Sequence, residues 1–84
     1  MSKRQLHMLE YIVFIIGMFA TKYSISNANA YQYIRKFKGL DFLLRHYDIE
    51  HTLSVDDAID DIIIVCKRNG GSLAWNFFTV LMLK

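Results

Sequence analysis

LHMLEYIVFIIGMFATKY, residues 6–23, is the stretch on which the fold turns. At about 100° per residue, Leu6, Leu9, Ile12, Val13, Ile16, Phe19, Ala20 and Tyr23 fall on one broad helical face. Met8 and Ile15 widen that face, and Tyr11, Phe14 and Met18 carry apolar character onto its flanks. Only His7, Glu10 and Thr21 form a polar strip. A helix that is apolar nearly all round is ordinarily the buried centre of a domain. The stretch therefore predicts a central helix. Gly17 lies in the polar strip, where glycine costs roughly 1 kcal/mol against alanine. Either a neighbour approaches closely there or the residue is simply tolerated.

Residues 1–5 form a short polar lead, expected to fray. After the first helix, Ser24-Ile25-Ser26-Asn27 breaks the pattern, and Ser26 is suited to capping a second helix. Ala30, Ile34 and Phe37, with Tyr33 beside them, give that helix its inner face. Asn29, Gln32, Arg35 and Lys36 supply the outer one, and Gly39 is the expected residue just past its end. Residues 40–47 read as a helix of two turns with Leu40, Leu43, Leu44 and Tyr47 inward. Residues 48–53 then form a connector. Ser54, with Asp57 three residues on, caps a last helix from Val55 to about Asn69. Val55, Ala58, Ile59, Ile62, Ile63, Val65 and Cys66 share its apolar face, and Asn69-Gly70-Gly71 ends it. The expected architecture is all-α: a small four-helix domain over residues 1–71 and an apolar C-terminal tail, residues 72–84, that fits a helix or an extended segment equally.

Eighty-four residues bound this to one domain with a modest core. The apolar share is 54%, above the usual 45–50% or so. Some of that excess is expected to be covered by a partner or a second copy. Net charge is +2, too little for a nucleic-acid or membrane field. The lone Cys66 permits no intrachain disulfide and fits a reducing, cytoplasmic setting. Residues 11–20 supply only about half the roughly 20 apolar residues that span a bilayer. A basic start and Ala28-Asn29-Ala30 superficially resemble an export signal, but Glu10 interrupts the apolar region. Neither a membrane nor a nucleic acid is therefore an expected partner.

The residues that could carry chemistry are few. His46, Asp48 and His51 cluster around the connector, but their spacing fits no recognised metal motif. They are expected to act as caps and turn formers, with Asp48 and His51 holding backbone groups. Cys66 on an apolar face is expected to be an inert small hydrophobe. No metal, cofactor or catalytic residue is expected, and hence no enzyme. The second and third helices could mimic a helix-turn-helix, yet the third offers only Asp41, Arg45 and His46 as polar groups. Ile64 stands apart, since it falls within the charged face of Asp57, Asp60, Asp61 and Arg68, as a small binding patch would. With Tyr11, Phe14, Met18, Trp75, Phe77 and Phe78 it makes up the expected partner-binding set.

Three segments also resemble a family. Lys22-Tyr23-Ser24-Ile25-Ser26, Ala30-Tyr31-Gln32-Tyr33, and Gly39 to Leu43 followed by Tyr47, Asp48, His51 and Thr52 are similar to the pattern of small bacterial proteins grouped as domain of unknown function 3791. The resemblance covers about residues 6–71 and is most specific at Tyr47, Asp48, His51 and Thr52, which are expected to build a structural connector. Residues 72–84 depart from the pattern. The family carries no established activity and no residue roles. The resemblance implies a companion of an ADP-ribosyltransferase-like protein encoded alongside, and so an antitoxin-like or accessory function. The sequence reading is thus a non-enzymatic protein-interaction module. The alternatives are a DNA-binding transcriptional regulator of helix-turn-helix type and a structural homo-oligomer.

Overall fold

The computed structural model of the chain describes residues 1–71; the tail and its Trp75, Phe77 and Phe78 lie outside them. Five helices follow in order: α1 (Lys3–Lys22), α2 (Asn27–Lys36), α3 (Gly39–Arg45), α4 (Tyr47–Glu50) and α5 (Val55–Arg68). The described chain is all-α, but with one helix more than the four expected. The addition is α4, a single turn inside the connector. No single helix among the described residues is long and apolar enough to cross a membrane.

The caps explain where the helices start. Ser26 Oγ accepts from the Asn29 amide at 3.0 Å, and Ser54 Oγ accepts from the Asp57 amide at 3.1 Å. The first helix starts earlier than its apolar pattern. Ser2 Oγ accepts from the Gln5 amide while the Gln5 side chain accepts from the Ser2 amide, a reciprocal box that orders the lead expected to fray. S-x-x-Q was legible there, but the apolar periodicity begins only at Leu6.

Ile12, Ile15, Ile16, Phe19 and Ala20 of α1 meet Ala30 and Ile34 of α2, Leu43 of α3, and Ala58, Ile59, Ile62 and Cys66 of α5 in one core. This inner stripe is narrower than the sequence reading. Leu6, Leu9 and Val13, assigned to the core, are exposed, and so is Leu44 of α3. Length gives the reason. Twenty residues of α1 span about 30 Å, whereas ten of α2 span about 15 Å. The chain turns through 107° between the two, so α2 crosses α1 and cannot run along it. The outer arc of α1 therefore has no covering layer among the described residues.

The turn between α2 and α3 also differs from expectation. The left-handed residue is Lys38, at φ 71°, and not Gly39. Gly39 instead opens α3 in a buried position, where an added methyl would lie 2.9 Å from Ile34 Cγ2 and 3.1 Å from Cys66 Sγ. Close packing claims the glycine, and the lysine takes the unfavourable backbone region, at about 1 kcal/mol. At Gly17 an added methyl would meet nothing within 4 Å among the described residues, so none of them approaches there.

Candidate functional site

Two arrangements stand out: an apolar arc on α1, and a polar and aromatic cluster that fastens the connector. The arc consists of Leu6, Leu9, Val13, Phe14 and Met18, which are 45, 47, 63, 51 and 38% exposed. Glu10, Gly17 and Thr21 lie among them. Along one edge, Met1, Gln5, Met8, Leu9, Ile12 and Leu44 line a shallow groove. Five large side chains about half exposed leave on the order of 400 Å² of apolar surface, a size at which a monomer's largest patch is often functional.

Of the expected partner-binding residues, Phe14 and Met18 lie on this arc and Ile64 on another face. Ile64 is exposed and shares a shallow recess with Phe42, Asp61, Val65 and Arg68. Tyr11 is placed differently. It is half-buried, and its hydroxyl donates to the Glu50 carbonyl at 3.2 Å. Burial first, then the charges of Glu50, Tyr47 and Asp61, push its pKa up. Tyr11 therefore belongs to the internal packing and not to the open arc. Leu6, Leu9 and Val13 belong to the arc although the sequence reading put them inside. Periodicity shows that a face is apolar but not whether anything covers it.

The connector cluster is built around Tyr47. His51 stacks on its ring at 4.4 Å between centroids, Tyr11 meets it edge-on at 5.6 Å, and the Arg4 guanidinium lies 5.7 Å from its centroid. His51 Nδ1 lies 2.7 Å from the Tyr47 carbonyl. A carbonyl can only accept, so this nitrogen carries the proton. Thr52 Oγ1 donates to the Ile49 carbonyl at 2.6 Å. Each of these contacts ties the turn to itself or to α1.

Asp48 does not hold the backbone, as was expected of it. Its Oδ1 accepts from Arg4 Nη2 at 2.9 Å, joining the connector to the first turn of α1. Both side chains are more than 60% exposed, so solvent screens the pair and it is worth at most about 1 kcal/mol. Asp48→Ala should lower stability by about 0.5 kcal/mol, not the 1–3 kcal/mol of a lost buried hydrogen bond. Urea denaturation at low and moderate salt checks this, and a loss above 1.5 kcal/mol would point to a burial the geometry lacks.

Glu50 is the residue that sequence reasoning missed. It is only 3% exposed, and its Oε1 has no hydrogen-bond partner among the described residues. Burial first, then the neighbouring acidic side chain of Asp61 on α5, raise its pKa from 4.5 to about 7. No pattern in D-I-E-H-T marks which acid turns inward.

Cys66 is enclosed between α3 and α5, and burial raises its pKa to about 11. The thiol is thus protonated at neutral pH and closed to solvent, both unfavourable to nucleophilic attack. Among the described residues, no three His, Cys, Asp or Glu side chains are grouped to hold a metal ion. The exposed His46 ring packs on Phe42 at 5.0 Å.

No curated protein and no solved structure matches this chain. Residues 10–69, from the second turn of α1 to the end of α5, match the family model described as protein of unknown function (DUF3791), and the chain belongs to that family.

Proposed function

We propose that this chain is a non-enzymatic protein-interaction module, an antitoxin-like or accessory partner of an ADP-ribosyltransferase-like protein encoded beside it, working in the cytoplasm. The observation that carries the reading is the outer arc of α1. Leu6, Leu9, Val13, Phe14 and Met18 remain exposed on one side of a helix whose opposite side is the core. An amphipathic helix with a second apolar face is a ready element for helix-in-groove or helix-on-helix recognition. Aromatic residues and methionine are the types that interfaces favour. The link to an ADP-ribosyltransferase-like protein comes from the family resemblance and not from the surface.

The test is co-purification of the full chain with that neighbouring protein, followed by titration. Val13→Glu and Phe14→Glu together should weaken binding at least about 30-fold, as expected for central hot-spot positions. Both positions are more than half exposed, so the fold should survive, as circular dichroism would check. Unchanged affinity in the double variant would remove the arc from the interface and defeat the reading. Self-association of the chain alone, abolished by the same substitutions, would favour the homo-oligomer instead.

A further inference from the structure

We infer that the outer face of α5 is a two-fold contact between two copies of this chain, centred on Ile64, with Asp60 meeting Lys67 and Asp61 meeting Arg68 across an antiparallel pair. Ile64 is 47% exposed in the middle of that face. It borders a recess of about 290 Å³ that Phe42 of α3, Asp61, Val65 and Arg68 also line. Asp60, Lys67 and Arg68 are exposed, and Asp61 is half-buried. At about 100° per residue, Asp60 and Lys67 stand roughly 40–60° to one side of Ile64, and Asp61 and Arg68 as far to the other.

Self-complementarity selects the occupant. A two-fold axis at Ile64 that reverses the helix keeps each flank on its own side of the seam. Asp60 precedes Ile64 by four residues and Lys67 follows it by three. On that flank the acid of one copy and the base of the other therefore differ in level by one residue, about 1.5 Å. Asp61 and Arg68 do the same on the other flank, three before and four after. The symmetry repeats both contacts, so unlike charges surround the two isoleucines on every side. A parallel copy would set acid against acid and base against base. The helix dipole alone also favours acids first and bases last, but it gives no reason for an isoleucine in the middle of them.

The charges beside this seam leave it open to a second copy. Lys22 of α1 lies 3.9 Å from Asp60, with both side chains exposed, a contact that solvent screens. On the α3 side, Asp41 and Arg45 line a recess with Phe42 and offset one another in sign. The face is one helix wide, smaller than the roughly 800 Å² that each partner gives a standard interface. The dimer is therefore weak, with a dissociation constant on the order of 100 µM at low salt. It loosens as salt screens the flanking pairs. The contact does not use the α1 arc, so it stands or falls independently of the binding proposed there.

Sedimentation of the full chain from about 10 µM to about 1 mM tests this. Wild type should pass from monomer to dimer over that range. Ile64→Glu should stay monomeric throughout, with its helix content unchanged by circular dichroism. Lys67→Glu and Asp60→Lys should each weaken self-association at least about tenfold, because each sets like charges opposite one another on both symmetric sides. Mixed in equal amounts, these two variants should associate nearly as wild type does, since acid then meets base again. Val13→Glu, on the α1 arc, should leave association unchanged. A monomer at the highest concentration, dimers that survive Ile64→Glu, or no recovery on mixing would overturn the inference. Loss of association in Val13→Glu would do so as well, by placing the contact on α1.

Discussion

Phe19→Ala is expected to remove about 3–5 kcal/mol of stability, the largest loss of any single truncation in the described chain. The ring is fully enclosed and packs on Tyr23 at 5.0 Å and on Tyr33 at 6.1 Å. It joins the end of α1 to α2, so its loss opens a cavity between two helices and also removes two aromatic contacts. A domain of this size has only about 5–10 kcal/mol in total. A substantial unfolded fraction is therefore expected at 37 °C. Phe14→Ala is the matched comparison: the same residue type, in the same helix, half exposed. It should cost less than about 1 kcal/mol. Urea midpoints for the two variants decide the point. Equal losses would mean that α1 is seated with a different face inward.

Gly39→Ala is expected to destabilise by about 1–3 kcal/mol, as overpacking does in a closed core. The new methyl would lie 2.9 Å from Ile34 Cγ2, 3.1 Å from Cys66 Sγ and 3.1 Å from the Ile34 carbonyl oxygen. The last of these is backbone and cannot turn aside. The substitution should therefore part α3 from α2 and α5, and exchange of the Cys66 thiol with a disulfide reagent should accelerate. Gly17→Ala supplies the opposite sign. No described residue lies within 4 Å of the added methyl, so the variant should gain up to about 1 kcal/mol from helix propensity alone. Thermal unfolding of the pair checks both signs. A destabilised Gly17→Ala would show that something covers that position.

Several features of this protein follow from local rules and are therefore present in the sequence itself. Ser26 and Ser54 stand immediately before apolar-periodic segments, and each caps a helix. The inner positions of α5 recur at helical spacing, and Ala58, Ile59, Ile62 and Cys66 are all buried. Such signals depend on neighbours within a turn or two, so the chain states them directly. The family is legible in the same way, because its pattern is a succession of residues.

What tertiary structure decided is which apolar surface gets covered, and by what. Val13 and Ile12 are adjacent and similar in hydropathy, yet Ile12 is buried while Val13 is exposed. Successive helical positions point about 100° apart, and the direction of Ile12 is the one that meets the packed core of α2, α3 and α5. The same holds for Gly17 and Gly39. Each sits in or beside a helix, but only Gly39 faces a neighbouring side chain and carbonyl. Asp48 and Glu50 are two acids in one short turn. Arg4, 44 residues away, pairs with the first at the surface, whereas the second is buried. These outcomes rest on contacts between residues far apart in the chain. Periodicity carries no information about the length, angle or charge of a neighbour that has yet to be packed, and those three quantities set the exposed arc and the buried acid.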